Sequence, residues 1–391
     1  MKTGLFVLVL GYVLSQFYRA FLAVLAPILR DDIGVGADAL ALSSGLWFLA
    51  FAAMQLPVGW ALDRFGPRRT AAWLLGVAGG GGAVLFAGAQ GPMGVHAAMI
   101  LIGAGCAPVL MASYYIFARV YPAGVFATLA AAMIGFGTLG NLASALPLEL
   151  AAQAIGWRGA VLGLAALTLV TAAATLAFVE DPPRAPDSTP GEGSLLDLLR
   201  NPAILLILPM MVVNYAPAAG LRGLWVGPYF SDLHGGGVGL ASLVMGIAMV
   251  VGSFAYGPLD RLLGTRKWVV LGGNLAGAIC LLVLWAAPVP GYWTAVGLLA
   301  AVGLFGMSFP MLMAHGRSFV PPHLVGRGVT LLNLFGIGGV GVLQLVSARV
   351  HSGADALATT PQGPYQALFL FFGLAVLAGC AVYAFSRDRT D

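Results

Sequence analysis

The chain is poor in charge. Asp, Glu, Lys and Arg make up 9% of its 391 residues, against 60% hydrophobic. A soluble domain carries about 25% charged residues, so this chain lacks the polar surface to cover itself in water. Its formal net charge is only +4, which gives no sign of a nucleic-acid partner. Cysteine is scarce as well. Cys106, Cys280 and Cys380 all fall inside apolar runs, form no disulfide framework and have no metal spacing. They read as small packing residues.

Other absences exclude whole classes. Short alternating strands are missing, which excludes a membrane β-barrel. There is no phosphate loop, nucleophile triad or metal-ligand cluster, so no enzyme, cofactor or metal centre is expected. The glycine run at Gly79–Gly82 lies inside an apolar stretch and reads as close helix packing. No Asp or Glu stands in the middle of any apolar run; Glu149, Asp232 and Asp260 all lie near ends.

What the chain does have is long apolar runs, each able to cross about 30 Å of hydrocarbon as a helix. Twelve spans are predicted: 4–30, 41–62, 70–90, 93–118, 124–148, 157–179, 202–230, 238–259, 268–289, 292–316, 326–348 and 364–385. The first begins like a signal peptide but continues past Arg19 to Leu29 without a convincing cleavage site, so it reads as a retained helix. The fold class is an all-α membrane protein. A stretch rich in Pro, Ser, Gly and charge, 181–201, separates a six-helix bundle over 1–180 from a second over 202–391.

Lys and Arg set the orientation. With the N-terminus inside, thirteen fall in cytoplasmic segments: Lys2, Arg64, Arg68, Arg69, Arg119, Arg184, Arg200, Arg261, Arg266, Lys267, Arg327, Arg387 and Arg389. Three fall outside: Arg30, Arg158 and Arg349. Both termini are therefore expected in the cytoplasm of a multi-pass cell-membrane protein, such as one of a bacterial inner membrane.

The two halves repeat. "APVLMAS" from Ala107 matches "FPMLMAH" from Phe309, and the same register pairs Phe117 with Phe319 and Gly137 with Gly339. In spans one and seven, Pro27 pairs with Pro228 and Asp31 with Asp232. Duplicated bundles of spans are the mark of a transporter with a site between related halves. Charge concentrates in "GWALDRFGPRRT", Gly59 to Thr70, and again in "YGPLDRLLGTRKW", Tyr256 to Trp268. Gly59, Asp63, Arg64, Gly66, Arg68 and Arg69 together resemble the loop signature of the major facilitator superfamily. Pro67 is an extra residue that places the arginine pair one position late. Asp260, Arg261, Gly264, Arg266 and Lys267 stand where the degenerate second copy belongs. The resemblance covers essentially the whole chain and implies a twelve-helix secondary transporter working by alternating access. A carboxylate at a span end is costly unless paired or wetted, so Asp63 with its arginines is expected to act as a gating latch. Asp260, Arg261 and Arg266 are its counterparts.

The resemblance also implies that spans one, four, seven and ten line a central cavity. Arg19, near the middle of span one, and Arg222, in span seven, are the leading substrate candidates. A guanidinium at such depth needs a partner, and two of them suit a carboxylate or phosphate. Gln16, Tyr18, Tyr114, Tyr115, Asn214, Tyr215 and Asn333 complete the expected lining. His315, near the end of span ten, is a candidate proton carrier. The expected substrate is a small organic anion, carried by anion exchange or proton symport, with a counter-anion or protons as partners. The lipid bilayer is the setting and a monomer the expected state. An efflux pump for hydrophobic compounds is the rival reading. A non-transporting membrane receptor or scaffold is the alternative from another class.

Overall fold

The computed structural model describes residues 2–120, 123–182, 198–320 and 325–389. Most of the expected linker, 183–197, lies outside the described residues, as do the side chains of Asp63, Asp260 and Arg261. The described chain is helical throughout its length. Ten helices are long and apolar enough to cross a membrane. The bent pair Thr3–Phe17 and Phe21–Ile33 makes an eleventh span. A shorter apolar helix at Ala132–Ala143 stands where the fifth span is expected, so the twelve-helix architecture is present. Val170, Phe254, Ile279 and Phe6 are exposed although large and apolar. Such surfaces belong against lipid.

Two compact units divide the chain. In the first, span one breaks between Phe17 and Phe21 and bends by 48°. Span two runs Ala37–Ala53 and Gln55–Phe65, and span four runs Pro92–Cys106 and Pro108–Val120. Pro108 has no N–H to return to the preceding turn, which accounts for the break there. Span three contains a π-helical segment, Leu74–Gly80, between Pro67–Trp73 and Gly81–Ala87. Glycines let span three approach its neighbours: a Cβ on Gly82 would meet Ile102, and one on Gly80 would meet Leu169. The helix Ala123–Ala143 is followed by Leu146–Phe178, which turns sharply at Gly156 (φ 76°).

The second unit repeats these features. Span seven consists of Pro202–Asn214, Ala216–Gly220, a π-helical turn Leu221–Trp225, and Val226–His234. Span ten breaks after Gly306 and resumes at Phe309–Arg317, with Pro310 in its first turn. Val238–Leu263, Lys267–Ala286, Val325–Asp355 and Gly363–Tyr383 are the remaining spans.

Polar residues tie the spans of each unit together. Trp157 Nε1 donates to Asp32 Oδ2 at 3.0 Å, and Arg158 pairs with the same carboxylate. In the second unit Tyr365 donates to Asp232 at 2.6 Å. Each half thus fastens an aspartate of its first span to the beginning of its sixth. Asn214 donates to Asn274 Oδ1 at 2.9 Å and to Ser308 Oγ at 2.8 Å, joining spans seven, nine and ten where two of them break.

Candidate functional site

The signature loops have a local logic. Gly66 has φ +84° and Gly264 has φ +65°, a region that favours glycine. Each turn delivers the next span's first N–H groups to an aspartate from elsewhere in its unit. Asp181 Oδ1 accepts from Arg68 N–H at 2.9 Å. Asp388 Oδ1 accepts from Arg266 N–H at 3.2 Å and Lys267 N–H at 3.0 Å, and Thr265 Oγ1 donates to its other oxygen. Both aspartates supply acceptors to helix N-termini that would otherwise lack them. Arg68 and Arg69 are exposed, Arg64 lies 5.3 Å from the Trp60 ring centroid, and Gly59 has no neighbour within 4 Å of a built Cβ.

Partial burial pushes the Asp388 carboxyl upward, but the Thr265 and backbone hydrogen bonds outweigh it and hold it below the usual carboxylate range. A depressed folded pKa adds stability above the unfolded value of about 3.9, lost as pH falls through the folded value. Asp388→Ala is therefore expected to lower the thermal transition near pH 7, by about 1 kcal/mol of capping energy. It should also flatten the decline below about pH 4. Melting curves of the detergent-solubilised protein across pH check both. An unchanged acid limb would refute the cap's role.

His315 is fully buried beside this cap. Its Nδ1 is 2.7 Å from the Tyr383 hydroxyl and its Nε2 is 2.9 Å from the Arg387 carbonyl oxygen. A carbonyl accepts, so Nε2 carries a proton and donates; Nδ1 of a neutral ring then accepts from the hydroxyl. The ring clamps the residues after span twelve onto span ten.

Other predicted residues are placed as follows. Arg19 sits in the break of span one, partly buried. Its guanidinium carbon is 4.9 Å from the Phe51 ring centroid and 5.4 Å from that of Trp47. Tyr18 is fully buried, with its hydroxyl 2.9 Å from Thr168 Oγ1 in span six. Gln16 donates to the Tyr12 hydroxyl at 2.9 Å. Tyr114 packs against a cluster containing Leu8, Tyr12 and Val109, and Tyr115 lies 4.1 Å from the guanidinium carbon of Arg119. Arg19 and the two span-four tyrosines are thus held by different neighbours.

In the second unit Arg222 lies in the π-helical turn and is 2% exposed. Its guanidinium occupies room left by Gly246 in span eight. A Cβ there would lie 2.9 Å from Nη2, 3.0 Å from Nε and 3.2 Å from Cζ. Tyr215, at the preceding break, is its electrostatic neighbour and packs on Phe309. Asn214 is committed to the bridge with Asn274 and Ser308. Asn333 is partly exposed on Val325–Asp355.

Sequence reasoning missed Trp47, Phe51, Gly246, Asp181 and Asp388. Trp47 and Phe51 left one signal: two large aromatics one helical turn apart, which share a face.

The comparisons fit this architecture. The chain resembles the D-xylose–proton symporter in fold, with a TM-score of 0.78, 17% identity, and coverage of 99% of this chain and 98% of that one. The nucleoside transporter NupG gives a TM-score of 0.76 at 15% identity, covering 98% of each. A local match to the probable sulfoacetate transporter SauU of Cupriavidus necator is 33% identical over 63 residues, 16% of this chain. That match spans only 15% of the relative's length. The sequence profile of the Major Facilitator Superfamily matches residues 8–342. A multi-pass helical chain with this fold, matched over most of its length, belongs to the Major Facilitator Superfamily and is a secondary transporter.

Proposed function

We propose that the protein carries a small organic anion with a carboxylate, sulfonate or phosphate group, held by Arg19 and Arg222. One observation carries this reading. In each unit the arginine stands at the irregular part of the first span, Arg19 in a 48° break and Arg222 in a π-helical turn. Irregular backbone within a span belongs where it lines a path or site. π-Helical turns are frequent at functional sites. A guanidinium recognises a planar or tetrahedral oxyanion through paired N–H groups. The local relative named for sulfoacetate supports the substrate class.

Domain limits at 1–180 and 202–391, cytoplasmic termini and a cell-membrane location belong to the same proposal, on the thirteen-to-three distribution of Lys and Arg. So does the gating role of Asp63 and its arginines. Coupling is by exchange of one anion for another, because fixed cavity cations disfavour reorientation without a bound anion. Proteoliposomes loaded with labelled sulfoacetate, succinate or phosphate test both parts. Efflux should accelerate with unlabelled anion outside and ignore a pH gradient. Uptake confined to cationic dyes would overturn the anion reading. Uphill anion uptake driven by a pH gradient, without internal anion, would replace exchange by proton symport.

A further inference from the structure

The first unit contains two buried N–H donors that have no hydrogen-bond acceptor among the described residues: Arg19 Nε and Trp47 Nε1. They belong to one side-chain cluster, since the guanidinium carbon lies 5.4 Å from the Trp47 ring centroid. Trp47 is 1% exposed. Buried donors without acceptors are rare in folded proteins, and each calls for an explanation. Nothing in the packing explains these two as accidents of a loose side chain. The Trp47 ring stacks on Phe51 at 5.2 Å and 17°, and meets Phe48 edge-on at 5.0 Å. Its backbone lies so close to Gly103 of span four that a Cβ on Gly103 would be 3.1 Å from the Trp47 Cα. The indole is buried and stacked, so turning it toward an acceptor would break its packing on Phe51 and Phe48.

The surroundings define what would satisfy both donors. Phe51 and Trp47 form an aromatic shelf near the guanidinium, and cation–π attraction holds a cation against such faces. The guanidinium's N–H fork lies in its own plane, the geometry for an oxyanion. Indole is a donor only, and an ionised carboxylate or sulfonate is an acceptor only, with several lone pairs. Such a headgroup has lone pairs enough for both donors. A cationic or purely apolar compound offers the indole nothing and leaves both donors buried and unsatisfied.

We propose that Trp47 is a second binding residue of the anion site, its indole N–H donating to the same headgroup that Arg19 holds, with Phe51 positioning the guanidinium. This rests on the anion reading of the site and names a specificity residue within it. Trp47→Phe keeps an aromatic shelf and removes the N–H. Equilibrium binding to purified protein of acetate, sulfoacetate, succinate and inorganic phosphate provides the test. For the anion that binds wild type best, Trp47→Phe is expected to weaken affinity about tenfold or more, and Arg19→Lys likewise, with melting temperatures near wild type. Wild-type affinity in folded Trp47→Phe, with Arg19→Lys impaired, would overturn the indole donor and leave the anion reading standing. Absence of binding by wild type to every anion would overturn both. If Trp47→Phe fails to fold, benzothienylalanine at position 47 keeps the bicyclic shape and removes only the N–H. The same two outcomes then decide.

Discussion

Gly140→Ala is expected to be among the most damaging single-methyl changes in the first unit. Spans one and five approach here backbone to backbone. A Cβ at Gly140 would run into the Val13 carbonyl oxygen, and would lie 2.8 Å from its carbon and 3.0 Å from Phe17 N. None of these atoms ends a flexible side chain, so the collision is relieved only by moving a whole helix. Alanine gains about 1 kcal/mol of helix propensity over glycine. Forced overpacking against backbone costs about 3 kcal/mol or more, so the loss dominates. For a unit of this size the net loss of about 2 kcal/mol or more corresponds to about 4–8 °C or more in melting temperature. The second unit repeats the crossing at Gly339, where a Cβ would lie 2.6 Å from the Val212 Cα, and Gly339→Ala is expected to behave alike. Gly163→Ala is the control, because Gly163 is an exposed helical glycine with open space around it. Size-exclusion profiles after heating in detergent give the comparison. Equal melting temperatures for the Gly140 and Gly163 variants would mean that the two backbones do not touch as described.

The architecture was legible because its cause is coarse. Apolar length is a property of whole segments, and the internal repeat doubles the signal. Pro108, Pro217 and Pro310 mark three of the span breaks directly. The break that matters most carries no such mark: Phe17, Tyr18, Arg19, Ala20 and Phe21 contain neither proline nor glycine. What opens the helix there is tertiary, with Tyr18 drawn inward to Thr168 while Arg19 meets the rings of span two. The same limit hid the neighbours of the tyrosines and of Asn214, whose amide nitrogen donates to Asn274 and Ser308. Residue type and depth identify a group able to bind a ligand, but they do not say whether a neighbouring span already uses it. Asp181 and Asp388 were invisible for the opposite reason. Each lies more than a hundred residues from the helix it caps, and a lone aspartate near a span end reads as a solvated charge.

Gly246→Ala is expected to weaken substrate binding about tenfold to a hundredfold while leaving the fold intact. The argument turns on which atoms must yield. Around Gly246 the contacts are Nη2, Nε and Cζ of Arg222, the far end of a long side chain. That end can turn away, at the cost of the orientation that the proposed anion site requires of its N–H groups. One or two charge-assisted hydrogen bonds at about 1.5 kcal/mol each account for the range. Gly252 in the same helix supplies the contrast, since its Cβ would meet the backbone of span ten, 3.1 Å from the Leu304 Cα. Gly252→Ala should therefore lower the melting temperature and leave the affinity of the folded fraction unchanged. Arg222→Lys, which keeps the charge and loses the planar fork, should match Gly246→Ala in affinity. The three variants separate a substrate arginine from a structural one. If Gly246→Ala and Arg222→Lys both bind the anion as wild type does, Arg222 only packs span seven against span eight. The charge that selects the substrate would then reside in the first unit alone.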